Sequence, residues 1–180
     1  VTDRYVILDR DGTINVDSDT FIKLPEEWLP LPGSLEAIAL LNRHGYKVVV
    51  VSNQSGVARG LFDLATLEAM HDKMRKMVSA AGGNIEAVYF CPHGPDDHCS
   101  CRKPKPGLFE TFAKDKQVDL KDVYSIGDSL RDIEASLAAG ARPILVKTGK
   151  GQKTALNNPQ LKLPIFENLY DAATHIVSAG

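Results

Sequence analysis

The sequence predicts a three-layer α/β fold, a doubly wound parallel sheet with helices on both faces. Three observations carry that prediction. Short apolar runs alternate with amphipathic stretches along the chain, the order that builds a parallel sheet covered by helices. The runs YVILD and YKVVVVSN lack the polar alternation of a half-exposed strand, as strands buried on both faces require. The polar residues best suited to chemistry fall where those runs end, and open parallel sheets bind ligands at the carboxyl ends of their strands.

Each element has its own signal. YVILD reads as the first buried strand. Ser34 is placed to cap a helix LEAIALLNRH, with Leu35, Ile38, Ala39 and Leu41 on or near its apolar face and Gly45 past its end. YKVVVVSN, a four-valine run bounded by turn residues, reads as a central strand. Asp63 caps a long helix whose Leu64, Leu67, Met70, Met74 and Met77 recur at helical spacing, a stripe expected to be core; Gly82 and Gly83 end it. IEAVYF is a third strand and leads into a cysteine-rich loop. GLFETFAKDK is helical, DVYSIGDS a fourth strand, LRDIEASLAA a helix closed by Gly140, RPILV a fifth strand and ENLYDAATHIVSA a last helix. No internal repeat or low-complexity linker interrupts the order.

Composition bounds the function. A chain of 180 residues, 43% hydrophobic and 24% charged, fits one domain spanning 1–180 and leaves no room for a large second one. A net charge of −2 offers no basic field for nucleic acid. No apolar run approaches the roughly 18 residues that span a bilayer. The start VTDRYVILDRDGT lacks the basic and apolar regions of a signal peptide. The expectation is a cytoplasmic monomer acting on a small molecule, without nucleic-acid or membrane partners. Three cysteines, an odd number, lie between positions 91 and 101, which favours a metal site over disulfides.

The stretch VILDRDGT places Asp9 and Asp11 on one side of a strand end, because residues i and i+2 share a face. Two like charges there are costly without a cation or a shared proton. A solvated turn is the plain alternative. Against it, Ser52 and Asn53 end the second strand and Asp128 the fourth. Asp9, Asp11 and Asp128 offer hard oxygen ligands for Mg²⁺. Asp9 can attack a phosphate to form an aspartyl-phosphate, and Asp11 can protonate the leaving oxygen and later activate water. Ser52 and Asn53 can donate to phosphoryl oxygens, and Lys103 supplies fixed positive charge. Taken singly, each has an ordinary reading: Ser52-Asn53 a turn, Lys103 a solvated side chain, Asp128 a helix N-cap. A module that holds a phosphoryl group for signalling would use the same aspartate, but Asp11 is placed to activate water. An idle zinc-binding interaction domain is a further alternative.

In CPHGPDDHCSCRKPKPG, Cys91, His93, Cys99 and Cys101 supply three thiolates and an imidazole, enough for a tetrahedral Zn²⁺ site. The spacing is not that of a zinc finger, and His98 is a rival to His93. With no coordination position left open, the zinc is expected to be structural. It would hold the loop so that Lys103 reaches the phosphate and Arg102 the substrate body.

LDRDGTINV, VVVSNQSGVARG, CRKPKPG and IGDSLRDIEAS, in that order, resemble the four motifs of the haloacid dehalogenase-like phosphatases and span most of the chain. The resemblance implies a Rossmann-like fold, Asp9 as nucleophile, Asp11 as general acid/base, and Ser52 and Lys103 as phosphate stabilisers. It implies Mg²⁺ held by the Asp9 side chain, the Asp11 carbonyl oxygen and Asp128. DRDGT, SNQSG and a cysteine-rich loop before CRKP are similar to a branch of heptose-bisphosphate and histidinol-phosphate phosphatases. The implied activity is Mg²⁺-dependent removal of the 7-phosphate of a heptose 1,7-bisphosphate in heptose-nucleotide (lipopolysaccharide core) biosynthesis, with histidinol phosphate as the alternative substrate. Arg10, Asn53, Gln54, Ser55, Arg59 and Arg102 are the expected substrate contacts. Arg102 would supply a guanidinium suited to a second phosphate, since guanidinium binds oxyanions in bidentate fashion. Arg59 would add to that positive rim, with a surface salt bridge as an equally good account of it. Many relatives insert a cap domain after the first or second motif. The short intervals here exclude one, so a capless fold is expected, covered only by loops such as DSDTFIKLPEEWLPLPG. That loop reads Ser18-Asp19-Thr20-Phe21-Ile22 where the branch often has a glycine-tyrosine-valine segment.

Overall fold

The computed structural model describes residues 3–180. Strands and helices alternate: β1 (Arg4–Leu8), α1 (Ser34–Arg43), β2 (Tyr46–Asn53), α2 (Leu64–Ala80), β3 (Ile85–Cys91), α3 (Gly107–Lys116), β4 (Tyr124–Gly127), α4 (Leu130–Ala139), β5 (Arg142–Val146), α5 (Gly151–Asn157), β6 (Ile165–Phe166) and α6 (Leu169–Ala179). The strands form one parallel sheet in the order β3-β2-β1-β4-β5-β6. The chain winds outward from β1 in one direction and from β4 in the other. The crevice between them, at their carboxyl ends, is the switch point where such sheets bind ligands.

The four valines of β2 show why that run is wholly apolar. Val48 and Val50 pack with Ile38 and Leu41 of α1, Met70 and Met74 of α2 and Ile176 of α6. Val49 and Val51 face the other way, onto Phe109 and Phe112 of α3 and Ala135 of α4. Successive strand side chains point to opposite faces, so a strand with helices on both sides has no position to spare for a polar group. The methionine stripe is core, as expected: Met70 and Met74 are fully buried, while Leu64 at the helix start is exposed.

Some sequence expectations need correction. The N-cap of α1 is Gly33, in the left-handed region at φ 81°, not Ser34. Ser34 is the first helical residue, and its Oγ donates to the Thr13 carbonyl at 3.1 Å. α4 is capped by Ser129 in a capping box with Asp132, so Asp128 is free of that task. β6 and α5 were not anticipated. β6 pairs only through Leu145 and Val146, and α5 buries only Gly151 and Thr154, which leaves no apolar period to read. The connections from β1 to α1 and from β2 to α2 hold no inserted domain; the first contains one 3-10 turn at Pro25–Glu27. Among the described residues no helix is long and apolar enough to cross a membrane.

Candidate active site

Asp9 leaves the end of β1 and Asp128 the end of β4, adjacent strands, so both carboxylates reach one cleft. Asp132, one turn into α4, joins them, and an oxygen from each lies within 4.8 Å of the others. Among them stands Lys103, whose ammonium donates to Asp9 Oδ1 at 2.9 Å, Asp132 Oδ1 at 2.6 Å and the Val51 carbonyl at 2.9 Å. Those bonds use all three of its donors. Burial pulls the Lys103 ammonium toward lower pKa, but Asp132 and Asp9 more than offset it and hold the group above its usual range. Burial, then the charge of Asp132, pushes the Asp9 carboxyl up to about 6 despite Lys103. Burial, then Asp9 and Asp132, pushes Asp128 up to about 9. Three carboxylates sharing one ammonium are short of positive charge, which is the signature of a cation site.

Glycines let the backbone close on Asp128. Gly12 is left-handed at φ 86°, and a Cβ there would strike the Asp128 carboxylate. The Lys150 backbone N–H, at the start of α5, donates to Asp128 Oδ2 at 2.8 Å.

Asp11 faces the same cleft in a different field. Arg10 donates to it from Nε at 3.1 Å and from one terminal nitrogen to both oxygens at 2.8 and 3.1 Å. Asn15 Nδ2 donates at 2.8 Å and Gln54 Nε2 at 3.0 Å. Burial alone would raise the Asp11 carboxyl, but Arg10 and these hydrogen bonds outweigh it and hold the group below the usual carboxylate range.

The structure redistributes the expected substrate contacts. Arg10 is fully buried and is not among the residues lining the cleft; the strand-end residue between two aspartates turns inward and donates to Asp11. Gln54 lines the cleft, but both N–H groups of its amide are used, one on Asp11 and one on Ser52 Oγ at 2.7 Å. Ser52 is 1% exposed and sits behind Gln54. Asn53 accepts from the Lys103 backbone N–H at 2.9 Å and donates to the Lys103 carbonyl at 3.1 Å, so it clamps the lysine's main chain. Ser55 lines the cleft and accepts from Arg59 Nε at 3.2 Å. The Arg59 guanidinium lies 5.3 Å from the Phe21 ring centroid, and Phe21 holds a left-handed φ of 69°. Arg59, Arg102, Arg131 and Lys150 together line the mouth. Arg131, Lys150 and Asp132 were missed in the sequence. For Asp132 a signal existed: Ser129-x-x-Asp132 is a capping box inside the fourth motif.

The cysteine loop converges as expected. His93 Nδ1 lies 3.4 Å from both Cys91 Sγ and Cys101 Sγ, and Cys91 Sγ lies 3.6 Å from Cys99 Sγ. Cys101 Sγ lies 2.8 Å from Cys91 Sγ, closer than the roughly 3.5 to 3.8 Å between ligands of tetrahedral Zn²⁺. The donor types, three cysteine sulfurs and an imidazole within 4.8 Å of one another, fit that metal. His98 is outside the cluster. Cys101 is two residues from Lys103, and Arg102 between them donates to the His93 carbonyl at 3.3 Å.

The chain is similar to proteins of one phosphatase family. A family model described as HAD-hydrolase-like matches residues 100–172. The D-glycero-beta-D-manno-heptose-1,7-bisphosphate 7-phosphatase of Pseudomonas putida is 50% identical over 174 residues, 97% of this chain and 99% of that protein. The protein of the same name from Bordetella bronchiseptica is 55% identical over 151 residues, 84% of each chain. Among solved structures, D,D-heptose 1.7-bisphosphate phosphatase from B. bronchiseptica complexed with magnesium and phosphate superposes with a TM-score of 0.95 at 49% identity, covering 98% of this chain and 99% of that one. The enzyme from Burkholderia thailandensis follows with a TM-score of 0.78 at 44% identity, covering 97% and 99%. With a six-stranded parallel sheet, no inserted cap among the described residues and end-to-end identity of this order, the chain belongs to the D-glycero-beta-D-manno-heptose-1,7-bisphosphate 7-phosphatase family of haloacid dehalogenase-like hydrolases.

Proposed function

We propose that this chain is a phosphoric monoester hydrolase that removes the 7-phosphate of D-glycero-D-manno-heptose 1,7-bisphosphate, as a single-domain cytoplasmic monomer with no nucleic-acid or membrane partner. The observation that carries the reading is the placement of Asp9. It lies at the sheet's switch point, beside a buried ammonium, in a cleft with a guanidinium-rich mouth. One phosphate meets Asp9, and the mouth offers Arg59, Arg102 and Arg131 to a second. The product of such a reaction is the heptose 1-phosphate, a substrate for a nucleotidyl-transfer step.

Asp9 and Asp128, with the Asp11 carbonyl, would hold Mg²⁺; the charge deficit around Asp9 fits a divalent cation. When bound, Mg²⁺ neutralises phosphate charge and lowers the barrier to attack by a carboxylate. Asp9 attacks phosphorus, and the sugar oxygen leaves. Asp11, at the same strand end, supplies the proton to that oxygen; a phosphate dianion nearby raises its pKa by like-charge repulsion, so it can carry a proton when substrate arrives. Once the sugar departs, the carboxylate form favoured by Arg10 accepts a proton from the attacking water. Lys103 stabilises the transferring phosphoryl group while Asn53 fixes its main chain, and Ser52 supports the same wall through Gln54.

The test is a substrate panel. Heptose 1,7-bisphosphate should be hydrolysed at C7 with kcat/KM at least about tenfold above histidinol phosphate and fructose 1,6-bisphosphate, about 1.4 kcal/mol in transition-state binding. A preference for histidinol phosphate would overturn the substrate and leave the chemistry intact.

A further inference from the structure

We propose that His71, on α2 and remote from the cleft, is a positioning residue for Asp11, acting through Arg10. The inference deepens the reading above and rests on Asp11 as the proton-transfer group. It starts from the partners of a fully buried guanidinium. Arg10 has five N–H donors. Nε and one terminal nitrogen face Asp11, the latter shared between both carboxylate oxygens. The other terminal nitrogen lies 3.2 Å from His71 Nε2 and 4.0 Å from Met70 Sδ. Outside Asp11, the strongest acceptor within reach of the guanidinium is the imidazole. Met70 contributes a thioether, a weak acceptor at long range.

This geometry assigns a state to His71. Nε2 accepts only in the neutral ring with the proton on Nδ1. Burial, then the charges of Arg10 and Arg75, pushes the His71 pKa down to about 3, in keeping with a neutral ring. His71 is 3% exposed and its ring lies 6.0 Å from that of Phe90. The helix face that supplies core methionines thus also supplies the one good acceptor behind Arg10. Without it a buried guanidinium N–H is left without a partner, which is costly in a desolvated site. The guanidinium then rotates toward another acceptor, and the fork on Asp11 loosens. Misplacement of a catalytic group by about 1 Å costs roughly 100-fold in rate.

The experiment compares His71→Leu, which removes the acceptor at similar volume, with His71→Gln, whose amide oxygen reaches the same region. p-Nitrophenyl phosphate is used, because its leaving group needs no proton and only the hydrolysis of the phosphoenzyme then depends on Asp11. Rapid mixing should show a nitrophenolate burst stoichiometric with enzyme for His71→Leu, followed by a steady state roughly 10- to 100-fold below wild type with KM within about threefold. His71→Gln should recover most of the steady-state rate. Loss of folded protein alone would lower burst and steady state together, and that result, confirmed by thermal unfolding, would overturn the proposal. So would wild-type turnover in a folded His71→Leu protein, or no recovery with Gln. Asp11→Asn is run alongside: if it turns over normally, the failure lies with the assignment of Asp11 itself.

Discussion

Asp9 and Asp11 stand two residues apart at the end of one strand, and their carboxyl groups occupy opposite fields. On the Asp9 side, three carboxylates share a single ammonium, and the Asp9 carboxyl is pushed up to about 6. On the Asp11 side, one carboxylate has a guanidinium of its own and two amides, and it is held low. Pairs of titratable groups whose surroundings separate their pKa values mark a division of labour. The side short of positive charge is where a cation and a phosphate belong. The side already neutralised is where a proton carrier can be kept in place without competing for the metal. The question raised by two like charges on one face is answered differently for each: Asp9 shares Lys103 with other carboxylates and is left short of positive charge, and Asp11 has its own counter-charge in the preceding residue, Arg10.

The sharpest way to break this contrast is to remove each carboxylate in turn. Asp9→Asn should lower turnover by about 1,000-fold or more, with no acid-stable phosphoenzyme, because an amide forms none. Asp11→Asn should lower turnover with heptose bisphosphate by about 100-fold or more, yet still trap phosphoenzyme from p-nitrophenyl phosphate. Steady-state kinetics with acid-quenched labelling reads both. Equal behaviour of the two variants would dissolve the distinction. Chelating Mg²⁺ should stop turnover reversibly and act on the Asp9 side only, which a thermal-shift titration at fixed pH would register as stabilisation on re-addition, absent in Asp128→Asn.

The cysteine loop bears on the Asp9 side alone, through Lys103. Cys101→Ser should lose zinc by elemental analysis, lower the thermal midpoint and reduce kcat, because the loop that delivers Lys103 has no strand or helix of its own between β3 and α3. The Arg10 to Asp11 contacts come from β1 and its following turn, and should survive.

The smallest expected effect sharpens the Asp11 side. His71 has a folded pKa of about 3 against 6.5 unfolded. Between those values the unfolded chain binds more protons, so the contribution of His71 makes stability rise with pH and is lost as pH falls from 6.5 toward 3. His71→Gln should flatten the acid limb of a stability-against-pH curve by up to about one proton. A limb unchanged from wild type would mean that the ring is not held neutral by its burial and by Arg10.

Local pattern sufficed for much of this molecule. The strands β1 to β5, the long helices, the motif order and the clustering of the three cysteines all follow from apolar period and short spacing, because each depends on residues close in the chain. Asp9, Asp128 and Lys103 were legible for the same reason: each ends or adjoins a readable element. Tertiary structure decided the rest. Arg10 meets His71 across 61 positions, and Lys103 meets Asp132 across 29. His93 joins the cysteines and His98, left-handed at φ 53°, does not. Ser52 and Gln54 settle behind and beside Asp11, and the two-residue β6 exists only because β5 offers it an edge. The physical reason is common to all of these. Which buried charge finds which partner depends on strand order and on the side from which a helix packs, and neither is written in any short stretch of chain.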